Sequence, residues 1–175
     1  MKLLPLKEVI RLLDLKPLVG EGGLWKQTYL SDETLPVSVL PGRTTDRLTG
    51  SAIHFLLTPE TFSCMHRLES DEIWYFHMGA SVEMLLLYPD GTAKVEVLGH
   101  DLMAGQKLQL TVPRGTWMGA QLHEAGEYGL LSTSMAPGYA DCEFEAAGYD
   151  QLRPLLSDDA QEKMLRRLCG EPRYE

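Results

Sequence analysis

The sequence predicts a mainly β protein, a sandwich or barrel of short strands with a helix at each end. Three observations predict it. Short apolar runs recur through the middle of the 175 residues, punctuated by Gly, Pro and Asp. Helical spacing of apolar residues is confined to the two ends. The composition, 44% apolar and 23% charged, is that of an ordinary globular chain long enough to bury a core without disulfides or a structural metal.

Taken in order, residues 6–15 place Leu6, Val9, Ile10 and Leu13 on one helical face, with Lys7, Glu8 and Arg11 between them. Strands are expected at 24–30, 51–58, 62–67, 72–77, 82–88, 93–98, 107–112, 128–135 and 141–146. Residues 31–50, the longest polar and turn-rich stretch, read as a loop over one mouth of the barrel, with room for a short strand around Val37 to Leu40. Pro89-Asp90-Gly91 is a turn with a mechanism, because Pro presets one backbone angle and Gly accepts a positive one. It should join 82–88 to 93–98 as a hairpin. A second helix is expected over 158–169: Ser157 caps, Asp158 and Asp159 suit the first turn, Arg166 and Arg167 the last, and Gly170 offers a left-handed stop. No repeat or linker divides the chain, so one domain is expected over 1–175, with its core at about 20–150.

Charge and cysteine usage narrow the function classes. Asp and Glu total 25 against 16 Lys and Arg, a formal net charge of -9. Such a surface repels phosphate backbones, so nucleic acid is not an expected partner. Cys64, Cys142 and Cys169 lie far apart with no CxxC pair, which argues for a reducing compartment and against a cysteine zinc site. The opening segment is broken by Pro5, Lys7 and Glu8, and no stretch approaches the length of a membrane span. A cytoplasmic location without membrane contact is expected.

The segment FSCMHRLESDEIWYFHMG, Phe62 to Gly79, carries the chemistry. It resembles the first motif of the cupin superfamily: His66 matches the first histidine, Glu72 the glutamate and Gly79 the glycine, while Leu68 takes the place of the second histidine. Gly105, Pro113 and Gly115 keep the outline of the second motif with two extra residues, and Met118 sits where its histidine belongs. The joint occurrence of Glu21-Gly22-Gly23, Thr28-Tyr29, His66-Arg67, Asp71-Glu72-x-Trp74, Leu98-Gly99, Val112-Pro113-x-Gly115-x-Trp117 and Ala136-Pro137-Gly138-Tyr139 is similar to the cupin_5 (DUF985) family over roughly residues 8–155. That resemblance implies a cupin-type double-stranded β-helix, a jelly-roll barrel, usually a homodimer, of the kind described as predicted sugar epimerases. Met118-Gly119-Ala120 departs from the Gln-Ala-Ala-like stretch expected after the tryptophan.

Side chains alternate faces along a strand, so Glu72, Trp74 and Phe76 share one face, and Ile73, Tyr75 and His77 the other. The resemblance aims the glutamate face into the barrel, with His66 facing the same interior. His66 and Glu72 are the candidate catalytic acid/base pair. Trp74, Phe76, Gln109, Trp117 and Tyr29 are the candidate substrate contacts: flat walls, an orienting amide and a phenol. Tyr29, Tyr75 and Tyr139 are equally available as an acid partner. Plainer readings stand beside these. His66 could instead be a satisfied core histidine, Glu72 a partner of Arg67, the tryptophans core and Gln109 a residue facing water. Cys64 alternates with His66 and reads as cavity packing. Asp141, Glu143 and Glu145 read as a solvated strand face. His100 and His123 are expected to be exposed, and no spacing nominates His54 or His77 as a ligand.

A catalytic cupin metal needs three or four protein donors. Leu68 donates nothing and a thioether at Met118 is a poor ligand for hard ions, so no metal and no other cofactor is expected. The expected function is metal-independent epimerisation or isomerisation of a sugar-like small molecule bound in the barrel interior. The alternative is a non-catalytic ligand-binding or storage-like module. A metal-dependent oxygenase would have to recruit ligands from loops.

Overall fold

A computed structural model describes residues 3–123, 125–156 and 159–171. The elements are α1 (Leu6–Leu13), β1 (Lys16–Pro17), β2 (Leu24–Leu30), β3 (Thr34–Leu35), β4 (Arg47–Leu48), β5 (Ser51–Leu57), β6 (Ser63–Arg67), β7 (Glu72–Gly79), β8 (Val82–Leu87), β9 (Ala93–Leu98), β10 (Gln109–Val112), β11 (Trp117–Leu122), β12 (Gly129–Met135), β13 (Glu145–Ala146), α2 (Tyr149–Leu152) and α3 (Glu162–Leu168). Ser157 and Asp158, read as the start of the last helix, lie outside the described residues. That helix is shorter than expected, beginning at Glu162 after a single 3₁₀ turn.

Two antiparallel sheets face one another. One runs β1-β2-β5-β12-β7-β10 and the other β13-β6-β11-β8-β9. Side chains from the two inner faces, Phe55, Trp74, Phe76, Met84, Met118 and Leu131 among them, fill the space between. This is the jelly-roll core that alternation predicts, with each strand sending every second residue inward.

The outer faces differ. α2 and α3 cover the five-stranded sheet, burying Met65, Leu85, Leu87 and Trp117 against Leu152, Leu165 and Leu168. Strand β8 is therefore buried on both sides, which is why its sequence is a continuous apolar run instead of an alternating one. α1 covers one end of the six-stranded sheet, where Val9 and Leu15 pack on Leu56, Tyr128 and Leu130. The rest of that outer face is open. No helix among the described residues is long and apolar enough to cross a membrane.

The β8–β9 hairpin forms as predicted. Gly91 has φ 86°, its amide donates to the Tyr88 carbonyl, and Asp90 accepts from the backbone and hydroxyl of Thr92.

Four local expectations are corrected. Val37–Val39 is a 3₁₀ turn, and residues 31–50 instead carry the small β3–β4 hairpin. Residues 141–146 are a 3₁₀ turn followed by the two-residue β13, because β6 offers partners only to Glu145 and Ala146. β11 is a central strand that its Met118-Gly119-Ala120 core concealed. Gly119 sits in a crowded spot, where a Cβ would lie 2.7 Å from Met65 Sδ and 3.1 Å from Leu168 Cδ1 and the Ser63 carbonyl. Cys64 does not share the face of His66. The β6–β11 register shifts between Met118 and Ala120, which breaks alternation, and Cys64 Sγ lies outside, 3.7 Å from the Gly170 carbonyl.

Candidate functional site: a carboxylate-lined cavity at one end of the barrel

A cavity of about 370 Å³ opens along the inner face of the six-stranded sheet. Its floor is β7, which contributes Glu72 and Trp74. Trp25 of β2, Phe55 of β5 and Thr133 of β12 stand beside them, and two loops close the rim. One brings Glu21, the other Tyr139 and Asp141.

Each rim residue is positioned by identifiable chemistry. Glu21 precedes two glycines at positive φ. A Cβ on Gly23 would fall within 2.6 Å of the Phe55 ring, so only glycine lets this loop close over the barrel. Glu21 is then held by the Ser63 hydroxyl at 3.1 Å, and its carbonyl accepts from the Cys64 amide at 2.7 Å. The Tyr139 amide donates to Ser51 Oγ at 2.9 Å. The Arg47 guanidinium donates to the adjacent Gly138 carbonyl.

Arg47 is itself buried and paired with Glu143, which also takes Arg43 Nε at 3.2 Å and the Ser70 hydroxyl at 3.0 Å. Glu143, expected on a solvated strand face, is only 6% exposed. It is the anion of a buried two-arginine clamp that ties the 31–50 segment to the rim.

Glu72 is buried and accepts the Trp74 indole N–H at 2.9 Å. Burial pushes its carboxyl up to about 7. The Glu21 carboxylate adds to the shift, while His66 and the hydrogen bonds from Thr133 and Trp74 oppose it. A carboxyl poised near neutrality can both take and give a proton there. Desolvation, then Asp141, pushes the Tyr139 phenol well above the usual tyrosine range, so it carries its proton. Glu21 and Glu72 act on Tyr139 in the same direction, which places all these groups around one space.

The remaining candidates are distributed as follows. His66 is buried behind the cavity wall, stacked on Phe144 at 5.2 Å. Its Nδ1 lies 2.8 Å from the Cys64 carbonyl, which can only accept, so Nδ1 carries a proton. His66 reaches the site through its charge on Glu72, not by lining it. Phe76 packs between the sheets against His100 at 4.8 Å. Trp117 faces away, under the C-terminal helices, with the Arg67 guanidinium 4.6 Å above its ring. Arg67 pairs with Glu145 at 2.7 Å and not with Glu72. Gln109 is exposed on the outer side of β10, because Leu110 and Val112 take the inner positions. Tyr29 is 53% exposed, and Tyr75 bonds Ser134 on the outer face at 3.1 Å. Of the three tyrosines, Tyr139 is the one that lines the cavity. Phe76, Gln109, Trp117 and Tyr29 are thus corrected from cavity contacts to packing or surface residues.

A family model described as "Cupin superfamily (DUF985)", Cupin_5, matches residues 7–147. The chain belongs to the Cupin_5 family. A crystal structure of protein SO0799 from Shewanella oneidensis is 30% identical and superposes with a TM-score of 0.79, over 98% of this chain and 100% of the other. A hypothetical protein from Leishmania major is 25% identical with a TM-score of 0.81, over the same shares. The uncharacterized protein YML079W of Saccharomyces cerevisiae (strain ATCC 204508 / S288c) is 28% identical over 152 residues, covering 79% of this chain and 74% of the yeast protein.

Within this cupin the usual metal position does not fit an ion. Of the four donor places, two hold Leu68 and Met118, both packed in the apolar inter-sheet core. The Glu72 carboxylate already accepts from Trp74. Among the described residues no group of three or more His, Cys, Asp or Glu is arranged to hold an ion. No step is therefore assigned to a metal. Asp71, the other acidic residue of the motif, is structural: it accepts the Arg114 amide at 2.8 Å and fixes the turn between β10 and β11.

Proposed function

We propose that this cupin is a metal-independent isomerase or epimerase of a small sugar-like carbonyl compound, with Glu72 as base and Tyr139 as opposing acid. The observation that carries the reading is a buried carboxyl on the wall of a cavity that a protonated phenol also lines. The Glu72 carboxylate takes the proton from the carbon next to the carbonyl, and the electron pair moves into an enolate. Tyr139 returns a proton to the opposite face of that carbon. The proton gained by Glu72 and the one lost by Tyr139 are exchanged with solvent before the next turnover. His66 acts on Glu72 through its charge, favouring the ionised carboxylate that the first step needs.

Incubation with unphosphorylated keto-sugars in deuterated water tests this. Deuterium should enter the carbon-bound position, and Glu72→Gln or Tyr139→Phe should slow it about 10²–10⁴-fold. His66→Gln should move the midpoint of the rising pH profile upward, because it removes a group that lowers the Glu72 pKa. Full exchange retained by Glu72→Gln contradicts the assignment. Ligand binding without any exchange favours the non-catalytic, storage-like module.

We also propose a homodimer formed through the open outer face of the six-stranded sheet. Glu72 is the sole acidic residue on those six strands, and it points inward. The outer side instead presents His54 and His77 bonded to the Ser132 hydroxyl at 3.0 and 2.6 Å, with Tyr75 and Tyr29 alongside. In a chain of net charge -9, this is a face where a second copy meets little repulsion. Light scattering should give twice the chain mass for the wild type and a single chain for Ser134→Glu. A monomeric wild type, or a dimeric Ser134→Glu, would rule this interface out.

A further inference from the structure

We infer that the cavity selects its ligand by charge: it takes an unphosphorylated, sugar-sized polyol, prefers one that carries an ammonium group, and rejects phosphorylated and nucleotide-linked sugars. The inference rests on the isomerase reading for the place of the ligand, and names the class of substrate.

The lining contains three carboxyl groups, Glu21, Glu72 and Asp141, and no Lys, Arg or His among the described residues. The neighbouring cations are committed elsewhere: His66, whose charge reaches Glu72, is buried behind the wall with Nδ1 on the Cys64 carbonyl. Arg47 and Arg43 are tied to Glu143, the Gly138 carbonyl and Glu69 within the clamp. Arg67 is turned outward over Trp117 and paired with Glu145. Lys26 sits on the outer face with Asp14 at 2.5 Å. A phosphate entering the cavity would lose its water and gain no direct contact with a cation on the lining, while meeting the field of the Glu21 and Asp141 carboxylates.

The same walls suit hydroxyls and ammonium. Carboxylate oxygens accept from sugar hydroxyls, and the Tyr139 phenol and Gln27 amide add two-way partners. Trp25, partly buried at the wall in front of the packed Phe55–Trp74 pair, presents aromatic surface on which the apolar side of a sugar ring can lie, and aromatic faces attract a cation. At about 370 Å³ the cavity is at the small end of the range for small-molecule sites, which leaves little room for an appended nucleotide.

The test is calorimetric titration near neutral pH with matched sets of an amino sugar, its neutral parent and its 6-phosphate, in the glucose, galactose and mannose series. In the series that binds, the amino sugar should bind about tenfold more tightly than the parent. The phosphate should bind about a hundredfold more weakly than the parent, or not measurably. Glu21→Gln, checked for folding by its melting temperature, should shrink both differences. Equal or tighter binding of a phosphate overturns the inference, as does an amine preference untouched by Glu21→Gln, or no binding by any member of any series. The two readings fail separately. Glu72-dependent exchange on a phosphorylated sugar would sink this inference and leave the isomerase standing. Amine-selective binding without exchange would do the reverse.

Discussion

The Glu72→Gln protein should be more stable than the wild type at about pH 8, by about 3 kcal/mol, and nearly equal to it at about pH 4. The sign follows from the direction of the shift. Folding raises the Glu72 carboxyl from 4.5 to about 7, so between those values the native state holds a proton that the unfolded chain has released. Stability then falls as pH rises through that window and levels off above it. Glutamine keeps the shape and still accepts the Trp74 indole N–H, but it has no charge to bury. The same substitution removes the proposed base, so stability and exchange should move in opposite directions, as expected where a strained group is kept for function. Urea titrations of both proteins at the two pH values measure the effect. Equal midpoints at about pH 8 would mean that the native site imposes no penalty on the ionised carboxylate.

Glu143→Gln should destabilise the protein by about 3–5 kcal/mol, because it leaves the buried Arg47 guanidinium without its anion and Arg43 with Glu69 alone. Arg47 and Arg43 both reach this carboxylate, and Arg47 also holds the Gly138 carbonyl beside Tyr139. The rim should therefore loosen as well as the fold, and exchange should fall although Glu143 does not line the cavity. Adding Arg47→Met to the same chain should recover part of the lost stability without restoring the position of Tyr139, since the bond to Gly138 goes with it. Urea unfolding of the single and double variants checks this. A loss below about 1 kcal/mol would reduce the clamp to the worth of a surface pair.

Much of the barrel was legible because its strands are bounded by turn chemistry and carry apolar residues on a period of two. The β8–β9 hairpin could be read from Pro89-Asp90-Gly91 alone. β11 is hidden because Met118-Gly119-Ala120 lacks the β-branched and aromatic residues that mark a strand, with Gly119 packed closely under Met65 and Leu168. In the site, Glu72 followed from the cupin motif that it matches, and alternation along β7 put Trp74 on the same face. Alternation also held the signals against Trp117 and Gln109: an inward Met118 sends Trp117 outward, and inward Leu110 and Val112 do the same to Gln109. Cys64 misled because a bulge resets the period, which no local residue announces. Glu143 and Asp141 were read as a solvated face because their partners, or the cavity they line, are assembled by distant loops. Arg47 lies 96 residues away from Glu143 in the chain. Tyr139 was within reach only as one of three tyrosines, and loop closure, not spacing, brings it to Glu72.

The central claim is that a buried carboxyl titrates near neutrality inside this cavity, and carbon-13 NMR titration of the Glu72 side-chain carboxyl tests it most directly. The account predicts an inflection at about 7. An inflection at the ordinary glutamate value of 4.5 would contradict it, and with it the assignment of Glu72 as the proton-transferring group.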